Sequence, residues 1–133
     1  MLEKDMALLL LLWQEACLEH QKENDTLMPG AKSATLEEEK ILDAVQEKEN
    51  MTFSWDDFNN AYMSFPTAAS RLRGCLDSLI EAPYEYRVKT VRYLFAMASA
   101  SFENDSEHAI SEVESEFILS VKKELAVSDE AVL

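Results

Sequence analysis

Two short acidic segments carry the residues best suited to bind a metal ion. The triplet Glu-Asn-Asp occurs at 23–25 and again at 103–105, and a hydroxyl residue with a glutamate three positions later follows each copy. Carboxylate oxygens are the ligands that Ca²⁺ and Mg²⁺ prefer. If each loop folds back on its next helix, its carboxylates converge on one divalent cation, calcium or magnesium. The predicted ligands are Asp105 and Glu114 in the second copy, and Asp25 and Glu38 in the first.

Other chemistry is open at the same loops. Glu107 and Glu23 are further oxygen donors, and His20 and His108 lie beside the two loops, where imidazole with carboxylates suits a transition metal. The spacing is not that of an EF-hand, whose glycine is missing. The alternative is that the aspartates form turns and that the glutamates cap their own helices in solvent.

The helices that must position these residues follow from caps and apolar spacing. Thr35 with Glu38 and Ser111 with Glu114 fit capping boxes, in which each side chain bonds a backbone N–H of the first turn. Helices are predicted over 3–22, 36–50, a short stretch after Ser54, 67–81, 84–101 and 112–126. No segment alternates with period two, so the fold class is all-α.

The order of these features predicts an internal duplication within a single domain, 1–133. Each unit reads as apolar helix, acidic loop, capped helix and hydroxyl stop, with the first unit over about 3–52 and the second over about 83–133. Residues 53–82 form a bridge. A lone helix pair cannot cover its apolar face, so two pseudo-repeated pairs are expected to pack as a compact bundle of about six to seven helices.

This pattern resembles the TerB-like tellurite-resistance family. The resemblance is carried by Phe95–Asp105, then Ile110–Glu114, then 117–128, and covers about half the chain. In this chain Thr26 and Ser106 stand where the family usually has glycine. The resemblance implies a duplicated helical bundle with an acidic surface, associated with divalent-metal binding and with a stress-response or regulatory role.

Composition limits the other functions. The 133 residues carry a net charge of −14, and 47% are apolar, so the chain can bury a core but repels nucleic acid. The apolar run at 7–13 is too short to span a bilayer, and its acidic flank does not fit a secretory signal. Two cysteines are too few for a disulfide framework. We expect reduced core thiols, a cytoplasmic location and no membrane span.

A protein–protein adaptor without a metal is the alternative function. Residues 66–100 are weakly basic, and Arg87 and Tyr86 are the predicted contacts with an unknown protein partner. An aromatic patch on this surface would contain Trp55, Tyr62, Phe65, Tyr84 and Tyr86, and core packing is the other use expected of these rings. No glycine-rich phosphate loop and no activated nucleophile are recognisable, so the chain is not expected to be an enzyme.

Overall fold

The computed structural model describes residues 2–16, 36–100 and 112–128, apart from the side chains of 36–39 and 100. The helices in these ranges are α1 Lys4–Ala16, α2 Leu36–Lys48, α3 Trp55–Met63, α4 Ala68–Leu79, α5 Tyr84–Ala100 and α6 Glu112–Glu124. The same ranges contain no strand, which confirms the all-α prediction. None of these helices combines the length and the apolar character that crossing a membrane requires.

α1 is the central helix of the bundle. Every residue from Met6 to Ala16 is buried, Gln14 and Glu15 included, and the helix packs against α2, α3, α4 and α5. The leucine run predicts a buried helix, and the apolar spacing predicts one broad buried face. The leucines at 8–12 leave that stretch without a polar stripe to face solvent, so it is surrounded on all sides. Each fully buried leucine contributes about 1.5–3 kcal/mol to the free energy of unfolding.

α4 is hydrogen-bonded to the chain near both ends of α1. The Ser78 hydroxyl donates to the carbonyl of Leu2 at 2.6 Å. Near the other end, the Gln14 side-chain amide donates to the carbonyl of Ala68 at 3.4 Å. These contacts fix the direction of α1, and with it the direction in which its side chains meet α2 and α3.

The predicted helix starts at the middle of the chain are confirmed. Ser54 is the N-cap of α3, where its hydroxyl accepts the backbone N–H of Asp57 while the Asp57 carboxylate accepts the N–H of Ser54. Thr67 and Ser70 form the equivalent reciprocal pair at α4. The carbonyl of Pro83 accepts the first backbone bonds of α5. Each start therefore comes from a local signal that the sequence carries.

α2 and α6 end in the same way. The second residue after each helix, Asn50 or Ala126, has a positive φ of 53° or 54°. The next N–H, of Met51 or Val127, then bonds a carbonyl of the last turn at 2.9 or 3.0 Å, which is a Schellman motif. Both helices contain 13 residues. The pairing of the whole chain into two repeated units stays a prediction.

The segment between α3 and α4 packs closely on α4. A Cβ at Gly74 would lie 2.5 Å from the ring of Phe65, so glycine is what lets this ring approach the helix. Arg71, one turn earlier on α4, is buried with its guanidinium 4.1 Å from the ring centroid of Tyr62. The rings of Tyr62 and Phe65 therefore pack against α4.

Candidate functional site

An open pocket of about 320 Å³ lies between α1, α2 and α3. We call it the aromatic pocket, and its lining comprises Leu9, Trp13, Leu42, Asp43, Gln46, Phe53, Ser54, Trp55 and Phe58. The volume corresponds to about ten water molecules. It lies at the small end of the range for ligand pockets in proteins, so one long side chain or a small ligand would fill it.

The walls of the aromatic pocket are built mainly from stacked and crossed rings. Trp55 and Phe58 stack with centroids 5.0 Å apart and planes 5° apart. The plane of Trp13 is inclined by 73° to Trp55 and by 72° to Phe58, with ring centroids 5.8 and 5.6 Å away. Trp13 is buried, whereas Trp55 is 51% exposed. The pocket therefore runs from a buried indole to an indole in contact with solvent, and the chain has no other tryptophan.

Local sequence rules explain how these rings are positioned. The Ser54 cap makes Trp55 the first residue of α3. Phe58 follows three positions later, on the same side of the helix, so the two rings meet. On α1, Leu9 and Trp13 are four residues apart and share a face in the same way. The pocket forms because the packing of α3 on α1 brings these two faces together.

The polar groups of the aromatic pocket lie on its α2 side and at the start of α3. Asp43 is exposed and forms no ion pair within the described part of the chain, and Gln46 is half-buried one turn later. The hydroxyl of Ser54 is already used as the helix cap. Next to these lining residues in sequence, Glu47 and Asp56 are also exposed. The result is an aromatic cavity with an acidic border.

The predicted metal ligands fall mostly outside the described residues. Asp25 and Asp105 lie outside them, and Glu38 is described only as part of the backbone of α2. The same holds for Glu23, Glu107, His20 and His108, which all lie outside. Within the described ranges, no three His, Cys, Asp or Glu side chains are grouped closely enough to hold a metal ion. The cation site stays a prediction.

Glu114 is the one predicted ligand whose side chain the structure describes. It lies in the first turn of α6 and is 1% exposed. This burial contradicts the solvent exposure that the capping alternative expected, while Ser111, the other member of the predicted capping box, lies outside the described residues. Carboxylates are rarely buried without hydrogen bonds, an ion pair or a metal.

The five aromatic residues predicted to form a partner surface do not share one surface. Tyr62 and Tyr86 are buried, at 5% and 9% exposure. The Tyr86 hydroxyl donates to the carboxylate of Asp5, which ties α5 to the start of α1. The exposed members are Trp55, in the aromatic pocket, and Tyr84, at the start of α5. Of the predicted patch, only the exposed rings of Trp55 and Tyr84 are therefore well placed to contact a partner, and they lie in different places.

The basic residues of the middle region largely serve contacts within the chain. The guanidinium of Arg87 donates to the carbonyls of Leu125 at 2.6 Å and of Ala82 at 3.2 Å. Arg73 forms an ion pair with Asp77 at 3.0 Å. Arg87, the predicted partner contact, therefore joins α5 to the end of α6 through hydrogen bonds within the chain.

Lys89 takes part in a second internal cluster. Its ammonium lies 3.2 Å from the carboxylate of Glu49, which also accepts the Tyr93 hydroxyl at 2.6 Å. Burial alone would raise the pKa of Glu49, but the Tyr93 hydrogen bond and the Lys89 ammonium together hold that pKa below its usual value. Burial and the same hydrogen bond raise the pKa of Tyr93. The cluster fixes α5 against the end of α2.

Cys75 is an inert core thiol. It is fully buried and free, and burial raises its pKa to about 12. A thiol with this pKa stays protonated at neutral pH and is a poor nucleophile. The prediction of a buried reduced cysteine is confirmed for Cys75, while Cys17 lies outside the described residues.

The sequence did not predict that Trp13 lines the aromatic pocket. Its position on an apolar helix predicted only core packing, and Trp55 was placed in a different patch. A useful signal was present: the chain's two tryptophans both lie on apolar helix faces, and Phe53 precedes Trp55 at the start of a very short helix. Their meeting depends on the packing of α3 against α1, which no local pattern states.

Comparison with known proteins identifies no relative of this chain. The chain matches no protein-family model, and no curated protein or solved structure is significantly similar to it.

Proposed function

We propose that this chain is a non-enzymatic binding module that holds a short segment of a partner protein in the aromatic pocket. The observation that carries the proposal is Trp55, which is 51% exposed yet stacked on Phe58 at the edge of the 320 Å³ cavity. Indole rings that are fixed in place and accessible to solvent are typical anchors of protein interfaces, because binding buries a large apolar area at little entropic cost. A lining of mainly aromatic and aliphatic groups favours holding a ligand over transforming it.

The partner segment is expected to be apolar with basic neighbours. Asp43, Glu47 and Asp56 border or flank the aromatic pocket, and the chain carries a net charge of −14. Charge complementarity at the rim of an interface speeds association and excludes partners of the same charge. A cytoplasmic location is part of the proposal and rests on the buried, free thiol of Cys75.

Selection from a random peptide library displayed on phage tests this proposal. The library is selected on the wild-type protein and counter-selected on Trp55→Ala, with Trp55→Leu as a second variant if alanine prevents folding. We expect enriched peptides that combine an apolar or aromatic residue with basic neighbours, and that shift tryptophan fluorescence when they bind. Met63→Ala is the matched control, because Met63 is 64% exposed on the same helix but lies outside the lining.

The outcomes of the selection are distinct. Binding that is retained in Met63→Ala and lost in the Trp55 variants supports the proposal. Enriched peptides that bind wild type and the Trp55 variants equally, or no enrichment at all, would overturn it.

A second candidate function is a TerB-like module that binds a divalent cation through its acidic loops. Glu114, one of its proposed ligands, is buried in the first turn of α6. The matching lengths and ends of α2 and α6 are in keeping with the duplicated bundle that this function requires. The proposed ligands remain Asp105 with Glu114 and Asp25 with Glu38.

A further inference from the structure

The tyrosines and the tryptophans differ in how their rings are used. Each of the chain's four tyrosines has a basic side chain over its ring, at 4.1–5.9 Å from the centroid. Neither Trp13 nor Trp55 has such a partner among the described residues. Indole is the ring that attracts cations most strongly. The best cation-binding rings of this chain are therefore left without a cation from the described residues.

The same two indoles line the aromatic pocket together with a carboxylate. Asp43 is exposed and forms no ion pair with the described residues. Aromatic faces attract a cation through their quadrupole, and a carboxylate at the border adds direct attraction. Removing an ordinary ammonium from water is costly, whereas guanidinium is more weakly hydrated. Methylation reduces the hydration of an ammonium in the same sense, since it replaces N–H donors with methyl groups.

We infer that the aromatic pocket binds a weakly hydrated organic cation on a side chain of the partner, namely a methylated lysine. The inference rests on the proposed function, since it names the anchor residue of the bound segment. The aliphatic stem of that side chain contacts Leu9 and Leu42, and its cationic head lies against the indoles and Asp43. The 320 Å³ cavity has room for one such side chain.

A pair of peptides that differ only in charge tests the inference. The probe is a capped alanine–glycine pentapeptide with trimethyllysine at its centre, compared with its neutral isostere, in which a tert-butyl group replaces the trimethylammonium. Peptides with central arginine, lysine and norleucine complete the series. Because both tryptophans of the chain line the aromatic pocket, intrinsic fluorescence reports binding at this site, and calorimetry gives the affinity.

We expect the trimethyllysine peptide to bind at least about tenfold more tightly than its neutral isostere. That ratio should fall toward one in Trp55→Leu and should drop several-fold in Asp43→Asn. Glu116→Gln is the control, because it removes an exposed charge on α6, outside the lining and its acidic border, and should leave the ratio unchanged. Tighter binding of the arginine peptide than of the trimethyllysine peptide would overturn the assignment to methylated lysine.

Equal binding of the two isosteres, or tighter binding of the neutral one, would overturn the inference but leave the proposed function intact. Absence of binding by every peptide in the series would also overturn it, and the library selection then decides the proposed function separately. Melting temperatures of the variants, followed by circular dichroism, establish that a lost ratio is not a lost fold.

Discussion

The guanidinium of Arg87 connects three parts of the molecule at one point. It donates to the carbonyl of Ala82 before α5 and to the carbonyl of Leu125 after α6, and it lies 5.3 Å from the ring centroid of Tyr84. Backbone carbonyls at helix ends lack partners within their helix, so a charged donor there is stabilising. Arg87 therefore acts within the fold, on groups that belong to the main chain.

Replacing Arg87 with methionine should lower the free energy of unfolding by about 1.5–3 kcal/mol, the usual effect of losing hydrogen bonds from a charged donor. The change keeps most of the apolar stem, so the loss reports the polar contacts. Denaturation by urea measures it. Lys123→Met, which removes an exposed charge on α6, is the control and should change the free energy by less than about 0.5 kcal/mol. Equal effects of the two substitutions would contradict this assignment.

The sequence could not reveal this use of Arg87. Its acceptors are carbonyls, which every residue carries, so no pattern of side chains marks them. The bond of Tyr86 was unpredictable for a different reason, because its acceptor is the carboxylate of Asp5, 81 residues away in the sequence. Cys75 was predictable, because a small apolar residue in a helical apolar stripe is usually buried.

Among the elements, the end of α6 departs from what its residue type prefers. Ala126 adopts a φ of 54°, a left-handed conformation that costs an L-residue with a Cβ about 1 kcal/mol. The Schellman motif that closes α6 requires this conformation. Glycine is the usual residue at this position, because it adopts a positive φ without the steric cost.

Ala126→Gly should therefore raise the free energy of unfolding by about 0.5–1 kcal/mol, which thermal and urea unfolding would both detect. Ala96→Gly is the matched control, because Ala96 is exposed within α5, where the same substitution should lower stability by about 1 kcal/mol. Effects of the same sign at the two positions would contradict the interpretation of the α6 end.

For the helices, the residues at which they begin could be predicted from the sequence. Which of their faces are buried was harder to predict. Ser54 and Pro83 carry local signals, and the structure places α3 and α5 directly after them. The face of α1 was not predictable, since a run of leucines has no periodicity to indicate a single buried side. The aromatic pocket was not predictable either, because it depends on how α1, α2 and α3 pack together.

For the whole molecule, the predicted cation site has a direct test. Metal-stripped protein is unfolded thermally with Ca²⁺, Mg²⁺, Mn²⁺ or Zn²⁺ added separately. A cation present at a hundred times its dissociation constant adds about 2.7 kcal/mol, or several degrees in a domain of this size. We expect one cation to raise the melting temperature selectively, and Asp105→Asn to abolish that rise. A small, equal rise with every cation would mean only that the charge of −14 is screened.

The burial of Glu114 decides how its variant is read in that experiment. Because the side chain is 1% exposed, Glu114→Gln will alter stability even without metal. The informative quantity is the difference between melting temperatures with and without the cation, compared across wild type, Asp105→Asn and Glu114→Gln. Loss of the cation effect in both variants assigns the two carboxylates to one site.

The central place of α1 also sets an order of events during translation. α1 is buried on all sides, yet α5, one of the helices that covers it, is made only after the more than sixty residues between them. Since synthesis proceeds at about 5–20 residues per second, several seconds pass between the synthesis of the leucine-rich helix and that of α5. For that interval the most apolar segment of the chain is available to chaperones and to other nascent chains. The yield of folded protein in a cell therefore depends on the pace of synthesis between α1 and α5.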